Sequence, residues 1–172
     1  MRRILLTCTL AFTLLPVFGG EGKAPPMNKE KSLLIDYVDP FIGTTNFGTT
    51  NPGAVCPNGM MSVVPFNVMG SADNTYDKDA RWWSTPYEYT NCFFTGYSHV
   101  NLSGVGCPEL GSLLLMPTTG ELNVDYKEYG SKYKDEQASP GYYSNYLTKY
   151  NIKTEVSATP RTGIARDRKS VV

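Results

Sequence analysis

Residues 141–158 read GYYSNYLTKYNIKTEVSA, and this stretch decides the expected fold. In its second half, Ile152, Thr154, Val156 and Ala158 alternate with polar residues, as in a half-buried strand. Tyr150 and Asn151 before it predict a two-residue hairpin turn. The first half alternates only in part, with Tyr142, Tyr146 and Thr148 against Ser144, Asn145 and Lys149. The stretch therefore predicts two antiparallel strands joined by a tight turn.

The remainder of the chain indicates the same class of structure. Its 16 glycines and 12 prolines are spread along the sequence, and it is rich in aromatic residues. No window shows a sustained apolar stripe at helical spacing. Long glycine-rich loops are expected at 43–59 and 69–91, where a β scaffold usually carries its binding sites. The predicted strands are 33–38, 60–65, 92–97, 112–116, 141–149 and 152–158. The sequence thus predicts an all-β fold, an antiparallel β-sandwich.

Charge and composition exclude two broad classes. The chain has 16 basic and 16 acidic side chains, with no basic run to neutralise phosphates, so nucleic acid is not an expected partner. Its 12 tyrosines, 7 phenylalanines and 2 tryptophans carry more apolar surface than a disordered segment does. A folded domain is expected, and it is mildly acidic once Arg2 and Arg3 are removed with the leader.

The first twenty residues, MRRILLTCTLAFTLLPVFGG, predict a signal peptide. A positive start precedes an apolar run too short for the roughly 20 residues that span a bilayer. A membrane anchor or a buried strand is the alternative. Cys8 lies inside the run and not at its end, which disfavours a lipoprotein. We expect cleavage near residue 20, a flexible lead-in at 21–31, a domain at 32–166, no membrane span after cleavage, and a secreted or periplasmic location.

Cysteine and histidine usage argues against two kinds of site. Removing the leader leaves Cys56, Cys92 and Cys107, which allow at most one internal disulfide. No pair has the CxxC spacing and His99 is the only histidine, so a zinc site is not expected. A catalytic triad would depend entirely on His99, and no G-x-S-x-G lies nearby.

Seven blocks of sequence, taken in order, resemble one enzyme family. The blocks are YVDPFIGT (37–44), PGA with PNGM (52–54, 57–60), GYSH (96–99), LSG with GCP (102–104, 106–108), LLLMP (113–117), ASPGYY (138–143), and Thr159 with Arg161 and Gly163. In this order and spacing the chain resembles the N-terminal region of the glycoside hydrolase family 92 exo-acting α-mannosidases. The resemblance extends from about Tyr37 to Arg166.

This resemblance implies a secreted or periplasmic, calcium-dependent enzyme of the α-1,2-mannosidase type, which releases terminal α-linked mannose with inversion. It implies an N-terminal β-sandwich joined to an (α/α)6 barrel that carries the general acid, the general base and most calcium ligands. The sequence reaches no barrel, so we expect no catalytic and no metal-ligating residue in this chain. The implied partners are mannose-containing glycans and the protein's own C-terminal catalytic domain.

Three departures from the family pattern affect what the resemblance implies. Thr49 and Asn58 stand where the family has other residues, which affects subsite and linkage preference. Residues 167–172 read DRKSVV, a charged hexapeptide that common sequencing-adapter DNA encodes. We expect this tail to be an artefact of a truncated gene sequence, and resequencing tests it.

Two loops carry the expected sugar contacts. In the loop at 43–59, Phe47 and Gly48 are the candidates, and the alternative is a plain connection with glycines serving turns. In DKDARWWSTPYEY, an indole of Trp82 or Trp83 offers a face for a pyranose and an N–H for a hydroxyl. Adjacent residues of an extended segment point in opposite directions, so one indole is expected to face the sugar while the other packs. The alternative is that both belong to the core.

For the other candidates the sequence favours a structural role over a functional one. His99 is a candidate pocket residue, although a single histidine more often has a structural role. Glu109 is a candidate for sugar hydroxyls, or else orders its loop through backbone N–H groups. The acidic run with Asp73, Asp77 and Asp79 lacks the glycine and glutamate of an EF-hand and is interpreted as a solvated loop.

Two other functions compete with the fragment of a mannosidase. One is a free-standing carbohydrate-binding β-sandwich without catalysis. The other is a secreted structural domain whose aromatic residues all belong to the core. A downstream barrel with two catalytic carboxylates is required by the mannosidase hypothesis and by neither of these two alternatives.

Overall fold

The computed structural model describes residues 33–45, 50–71, 74, 86–101, 111 and 113–170. The strands are β1 (Ala54–Val55), β2 (Ser62–Phe66), β3 (Phe93–Phe94), β4 (Gly96–His99), β5 (Leu113–Leu115), β6 (Ser131–Ser139), β7 (Tyr142–Leu147), β8 (Ile152–Ala158) and β9 (Gly163–Lys169). A 3-10 helix covers Leu34–Tyr37, and the short helix α1 covers Tyr126–Tyr129.

The strands form two antiparallel sheets. One has the order β1-β2-β4-β5 and the other the order β3-β6-β7-β8-β9. Side chains of both sheets meet in one core, where β1 and β2 contact β8. The predicted all-β fold is confirmed.

The hairpin at 141–158 was predicted well except at its turn. Strand β8 has the expected bounds, and pairing with β7 closes at Leu147 and Ile152, so the loop has four residues and not two. The backbone N–H of Thr148 donates to the Lys132 carbonyl of β6 at 2.9 Å, which draws the chain toward β6. Asn151 ends the loop with φ of 54°, a left-handed conformation that asparagine tolerates.

The inner face of β7 differs from the partial alternation that its sequence suggested. Tyr143, Asn145 and Leu147 are buried, while Tyr142 and Tyr146 lie on the opposite face. Asn145 is accommodated because its Oδ1 accepts hydrogen bonds from Thr154 Oγ1 at 2.5 Å and from the Tyr97 hydroxyl at 3.2 Å. A buried amide is tolerated only when such partners exist.

The predicted strand at 92–97 is two strands in different sheets. β3 pairs with β6, and β4 pairs with β2 and β5. The chain changes sheet at Thr95, whose N–H donates to the Phe66 carbonyl at 2.9 Å. Aromatic packing joins the two strands, with the rings of Phe94 and Tyr97 4.9 Å apart.

The predicted strand at 33–38 is wrong. The Leu33 N–H donates to the Asp36 carboxylate at 2.9 Å, and the Asp36 N–H donates to the Leu33 carbonyl, which closes a 3-10 turn. Its apolar side chains stay exposed: Leu34 is 87% and Tyr37 74% accessible.

Strands β1, β6 and β9 were not predicted. β6 is polar along most of its length (SKYKDEQAS) and β9 is charged (GIARDRK), so neither shows an apolar alternation. In β9, Arg166 binds the Glu155 carboxylate of β8 at 2.7 Å. The strand includes residues 167–169, and the artefactual origin of 167–172 stays a prediction.

Two further features concern the described residues. Cys56 and Cys92 are free thiols. Within the part of the chain that the structure describes, no helix is long and apolar enough to cross a membrane.

Candidate functional site

One of the six predicted substrate-binding residues, His99, lies among the described residues. The others, Phe47, Gly48, Trp82, Trp83 and Glu109, lie outside them, as do Asp73, Asp77 and Asp79. The residues that flank these segments are described, so the geometry of their bases can be given.

His99 is the last residue of β4, between Val63 of β2 and Leu113 of β5. Its Nδ1 lies 3.3 Å from the Leu113 carbonyl oxygen. With the proton on Nδ1 this contact is a hydrogen bond, and Nε2 is then an acceptor. This arrangement fits a structural role at the end of an inner strand and leaves one nitrogen for a ligand.

A cavity of about 200 Å³ adjoins His99 between the two sheets. Its walls include Val63, Tyr97, Leu115, Met116 and Ala165. These walls are mainly apolar, so the cavity favours apolar side chains over a sugar, whose hydroxyls need several polar partners.

Asn67, directly after β2, holds the segment that carries the two tryptophans. Its backbone N–H donates to the Pro86 carbonyl at 3.0 Å. Its side-chain amide donates to the Glu88 carbonyl at 2.9 Å and accepts from the Glu88 N–H at 2.8 Å. Its carbonyl accepts from the side chain of Asn74 at 3.0 Å. Since Asn67 is fully buried, these bonds are shielded from water. Asn74 and Pro86, which flank residues 75–85 (hereafter the tryptophan segment), are thereby both hydrogen-bonded to Asn67.

The base of residues 46–49, hereafter the glycine segment, lies next to this point. The Tyr89 N–H donates to the carbonyl of Thr44 at 2.9 Å, and the rings of Phe41 and Tyr89 pack edge to face 5.6 Å apart. The structure therefore brings together the bases of the segments that carry Phe47, Gly48, Trp82 and Trp83.

The segment at 102–110, with Glu109, starts at the opposite end of β2. The Asn101 N–H donates to Ser62 Oγ at 2.8 Å, and Ser98 Oγ donates to the Asn101 side chain at 2.7 Å. Ser62 and Phe66 are the two ends of β2, about 13 Å apart at ~3.3 Å per residue. His99 and the base of the Glu109 segment are thus separated from the other two bases.

Glu136 is a half-buried acidic group that sequence reasoning missed. A bulge in β6, with Asp135 at φ of 53°, interrupts the pairing with β7 there. Glu136 Oε1 accepts hydrogen bonds from the hydroxyls of Tyr87 (2.6 Å) and Tyr143 (2.8 Å). Burial raises the pKa of Glu136, although both hydroxyls act in the opposite direction. Tyr87 follows the tryptophan segment closely, so Glu136 fixes the same base from the second sheet.

The implied calcium ion finds no ligand set in the described part of the chain. There, no three His, Cys, Asp or Glu side chains are grouped so that they hold a metal ion. The described side chains offer hydrogen bonds and apolar contacts, and we derive no metal-dependent step from them.

Comparison with protein families identifies the domain. Residues 37–167 match the glycosyl hydrolase family 92 N-terminal domain. The chain belongs to glycoside hydrolase family 92. The resemblance seen in the seven sequence blocks is confirmed.

Solved structures of family 92 proteins share this fold. The GH92 α-mannosidase BT3965 from Bacteroides thetaiotaomicron, in complex with mannoimidazole, matches 78% of this chain at 33% identity with a TM-score of 0.67. The GH92 glycosyl hydrolase ccman5 matches 77% at 30% identity, with a TM-score of 0.60. The inverting mannosidase BT2199 from Bacteroides thetaiotaomicron VPI-5482, at 24% identity over 79% and a TM-score of 0.59, shows similarity of fold alone. No curated protein sequence matches the chain.

This family 92 domain covers 18% of the length of each of those proteins. Within it, Asn67 and Glu136 bind residues on either side of the tryptophan segment, and neither was a candidate from sequence. Asn67 follows the buried run SVVPF, and an asparagine at the end of such a strand, before a long loop, was the available signal. Glu136 had no comparable signal because the bulge that accompanies it arises from pairing with β7.

Proposed function

We propose that this domain is the N-terminal part of a secreted or periplasmic glycoside hydrolase that releases terminal α-linked mannose with inversion, as an α-1,2-mannosidase does. The domain supplies part of the substrate pocket, and its own C-terminal catalytic domain supplies the remainder. The observation that carries the proposal is the family 92 match over residues 37–167. The similarity to an α-mannosidase structure that contains mannoimidazole supports it.

Inversion places a requirement on the part of the protein beyond this domain. A general acid and a general base must flank the glycosidic bond about 6.5–9.5 Å apart, leaving room for the attacking water. The proposal assigns both carboxylates, and the calcium ligands, to the C-terminal domain. Calcium there would polarise or orient substrate oxygens, while this chain binds and orients the sugar.

The wall that this chain contributes is proposed to be the neighbouring glycine and tryptophan segments. Their bases meet around Asn67 and Thr44, which fits a shared surface. We propose that an indole of Trp82 or Trp83 packs on the C–H face of the mannose ring. Phe47 and Gly48 are proposed to contact the same sugar. His99 and Glu109, at the other end of β2, are proposed to contact it only where the C-terminal domain extends the pocket.

The test uses the full-length protein, expressed from a gene extended beyond the codon for Arg166. We expect hydrolysis of α-mannobiose with calcium present, and β-mannose as the first product by proton NMR. Trp82→Ala or Trp83→Ala should lower kcat/KM several-fold, because a stacking face is worth on the order of 1 kcal/mol. Leu122→Ala, at a side chain that is 85% exposed, is the matched control and should leave kcat/KM unchanged.

Each alternative outcome has a separate meaning. An extended gene with a stop codon near 172, and a chain that binds mannose, would favour the free-standing carbohydrate-binding domain. α-Mannose as first product would contradict inversion. Unchanged kinetics in both tryptophan variants would assign the two indoles to the core.

A further inference from the structure

Tyr87, which follows the tryptophan segment closely in sequence, connects the two sheets. Its neighbours Pro86 and Glu88 are both hydrogen-bonded to Asn67, which directly follows β2 of the first sheet. Its side chain is fully buried, and its hydroxyl donates to Oε1 of Glu136 in β6 of the second sheet at 2.6 Å. This part of the chain is therefore held by one sheet through the backbone and by the other through the Tyr87 hydroxyl.

The bulge in β6 is what turns Glu136 toward this hydroxyl. Two residues of β6, Asp135 and Glu136, stand opposite one residue of β7, Asn145. With regular pairing Glu136 would share the outer face of the sheet with Lys134, because side chains alternate along a strand. Bulges are over-represented beside active sites, where they redirect a side chain. Here the redirected side chain supplies the acceptor for Tyr87.

Glu136 joins two buried tyrosines through a single oxygen. The hydroxyl of Tyr143, in β7, donates to the same Oε1 at 2.8 Å. Burial raises the pKa of both Tyr87 and Tyr143, so each hydroxyl keeps its proton at neutral pH and remains a donor. The two bonds are alike in chemistry and burial, but only Tyr87 adjoins the tryptophan segment in sequence.

We infer that Glu136 is a positioning residue, which fixes residues 86–88 through the hydroxyl of Tyr87 and so sets where the tryptophan segment joins the sandwich. Tyr87 is four positions after Trp83, so a shift at Tyr87 is transmitted over a short length of chain. A displacement of about 1 Å in a group that positions substrate can cost roughly 100-fold in rate. The consequence for sugar binding rests on the proposed function, whereas the fixing of the segment does not.

The first test follows the two indoles directly. Trp82 and Trp83 are the only tryptophans of the 172-residue chain, so its tryptophan fluorescence reports this segment alone. Tyr87→Phe removes one of the two hydroxyls bound to Glu136. It should shift the emission maximum and lower the fluorescence anisotropy, because the segment gains motion on the nanosecond timescale.

Tyr143→Phe is the matched control for this measurement. It removes the other hydroxyl bound to the same oxygen, from a ring that is also fully buried. Both fluorescence readings should stay as in the unsubstituted chain, and a β-rich circular dichroism spectrum shows that each variant is folded. A change in Tyr143→Phe as large as that in Tyr87→Phe would overturn the inference, and so would an unchanged Tyr87→Phe.

Substitutions of Glu136 keep the inference testable if Tyr87→Phe does not fold. Glu136→Gln retains an oxygen that accepts from Tyr87, and Glu136→Ala retains none. Glu136→Ala should therefore show the shifted emission and the lower anisotropy, and Glu136→Gln should show the readings of the unsubstituted chain. A glutamine variant altered as much as the alanine variant would contradict the inference.

Kinetics of the full-length protein separate this inference from the proposed function. Tyr87→Phe should raise KM for α-mannobiose several-fold and change kcat less, because it alters the binding wall and not the acid and the base. Tyr143→Phe should leave both constants unchanged. Altered fluorescence of Tyr87→Phe with unchanged kinetics would overturn only the proposed sugar contact of the segment. Unaltered fluorescence, in an enzyme whose activity depends on Trp82 or Trp83, would overturn only this inference.

Discussion

Buried polar side chains determine the arrangement of this domain at the scale of single residues. Asn67 binds Asn74 and Glu88 on the two sides of the tryptophan segment, and Asn145 joins Tyr97 to Thr154 inside the core. Each such hydrogen bond contributes about 1 kcal/mol, but an unpaired buried partner costs about 1–3 kcal/mol. These side chains therefore select one arrangement of strands and loop bases more than they add to total stability.

Two glutamates should make stability depend on pH in opposite directions. Bonds from Arg166 and Tyr142 lower the pKa of Glu155, so its contribution is present above the ordinary value of 4.5 and is lost as the pH falls through the folded-state pKa. Burial raises the pKa of Glu136 above 4.5, so stability is lost as the pH rises from 4.5 through its folded-state pKa. Glu155→Gln should remove the contribution of Glu155 to the loss of stability below pH 4.5. Glu136→Gln should remove the contribution of Glu136 to the loss of stability above pH 4.5.

Urea unfolding of the 172-residue chain between pH 3 and pH 8 measures both effects. Each variant is the control for the other, because the two carboxylates act in different pH ranges. Glutamine at 136 retains an oxygen that accepts from Tyr87 or Tyr143, so the fold should survive. If the free energy of unfolding of Glu136→Gln varied with pH in parallel with that of the unsubstituted chain, the dependence above pH 4.5 would not arise from Glu136.

At the scale of elements, the change of sheet between β3 and β4 depends on Gly96. Its φ is 143°, and a Cβ there would lie 2.9 Å from the backbone carbonyl oxygen of Leu115 in β5. Gly96→Ala should lower the free energy of unfolding by about 1–3 kcal/mol, through a strained backbone and a β4–β5 pair forced apart. Thermal unfolding followed by circular dichroism measures the loss.

Gly120→Ala is the matched control for this prediction. Gly120 also has a left-handed φ, of 92°, but an added Cβ meets no atom within 4 Å. The Gly120→Ala variant has the backbone strain without the close approach. Its free energy of unfolding should therefore fall by less, about 1 kcal/mol. Equal losses in the two variants would show that the approach of β5 to Gly96 has no energetic effect.

At the scale of the whole molecule, apolar surface is exposed on several elements. Leu34, Ile42 and Met60 are exposed besides the leucines of β5. Exposed apolar area of this kind marks an interaction surface or a risk of aggregation. We expect the isolated chain to be poorly soluble without its C-terminal domain.

The isolated 172-residue chain should not hydrolyse α-mannosides, with or without calcium. Inverting hydrolysis needs an acid and a base on opposite faces of the sugar, and the proposed function assigns both elsewhere. A pocket that lacks one wall buries little of its ligand, so mannose affinity should be millimolar at best. Incubation with an aryl α-mannoside and with α-mannobiose tests this. Turnover above a no-enzyme control, in a sample with a β-rich spectrum, would contradict the proposed division of labour.

Several features of the protein follow from sequence alone. The strict alternation at 152–158 predicted β8 at its observed bounds, and the seven blocks predicted the family. Both predictions succeed because the signal lies in consecutive residues. In a half-buried strand, apolar and polar side chains alternate every two residues, and a family motif is recognised from its sequence without knowledge of its contacts.

Tertiary structure decided the remaining features. Strand β6, with the polar sequence SKYKDEQAS, forms because β3 and β7 offer backbone partners on both sides. Residues 92–97 read as one strand, yet their halves belong to different sheets because Phe94 and Tyr97 both pack in one core. Glu136 and Asn67 are held in place by Tyr87 and Glu88, which are distant from them in sequence and supply hydrogen bonds. Contacts between residues far apart in the chain leave no periodic signal in it, so only the assembled sandwich determines them.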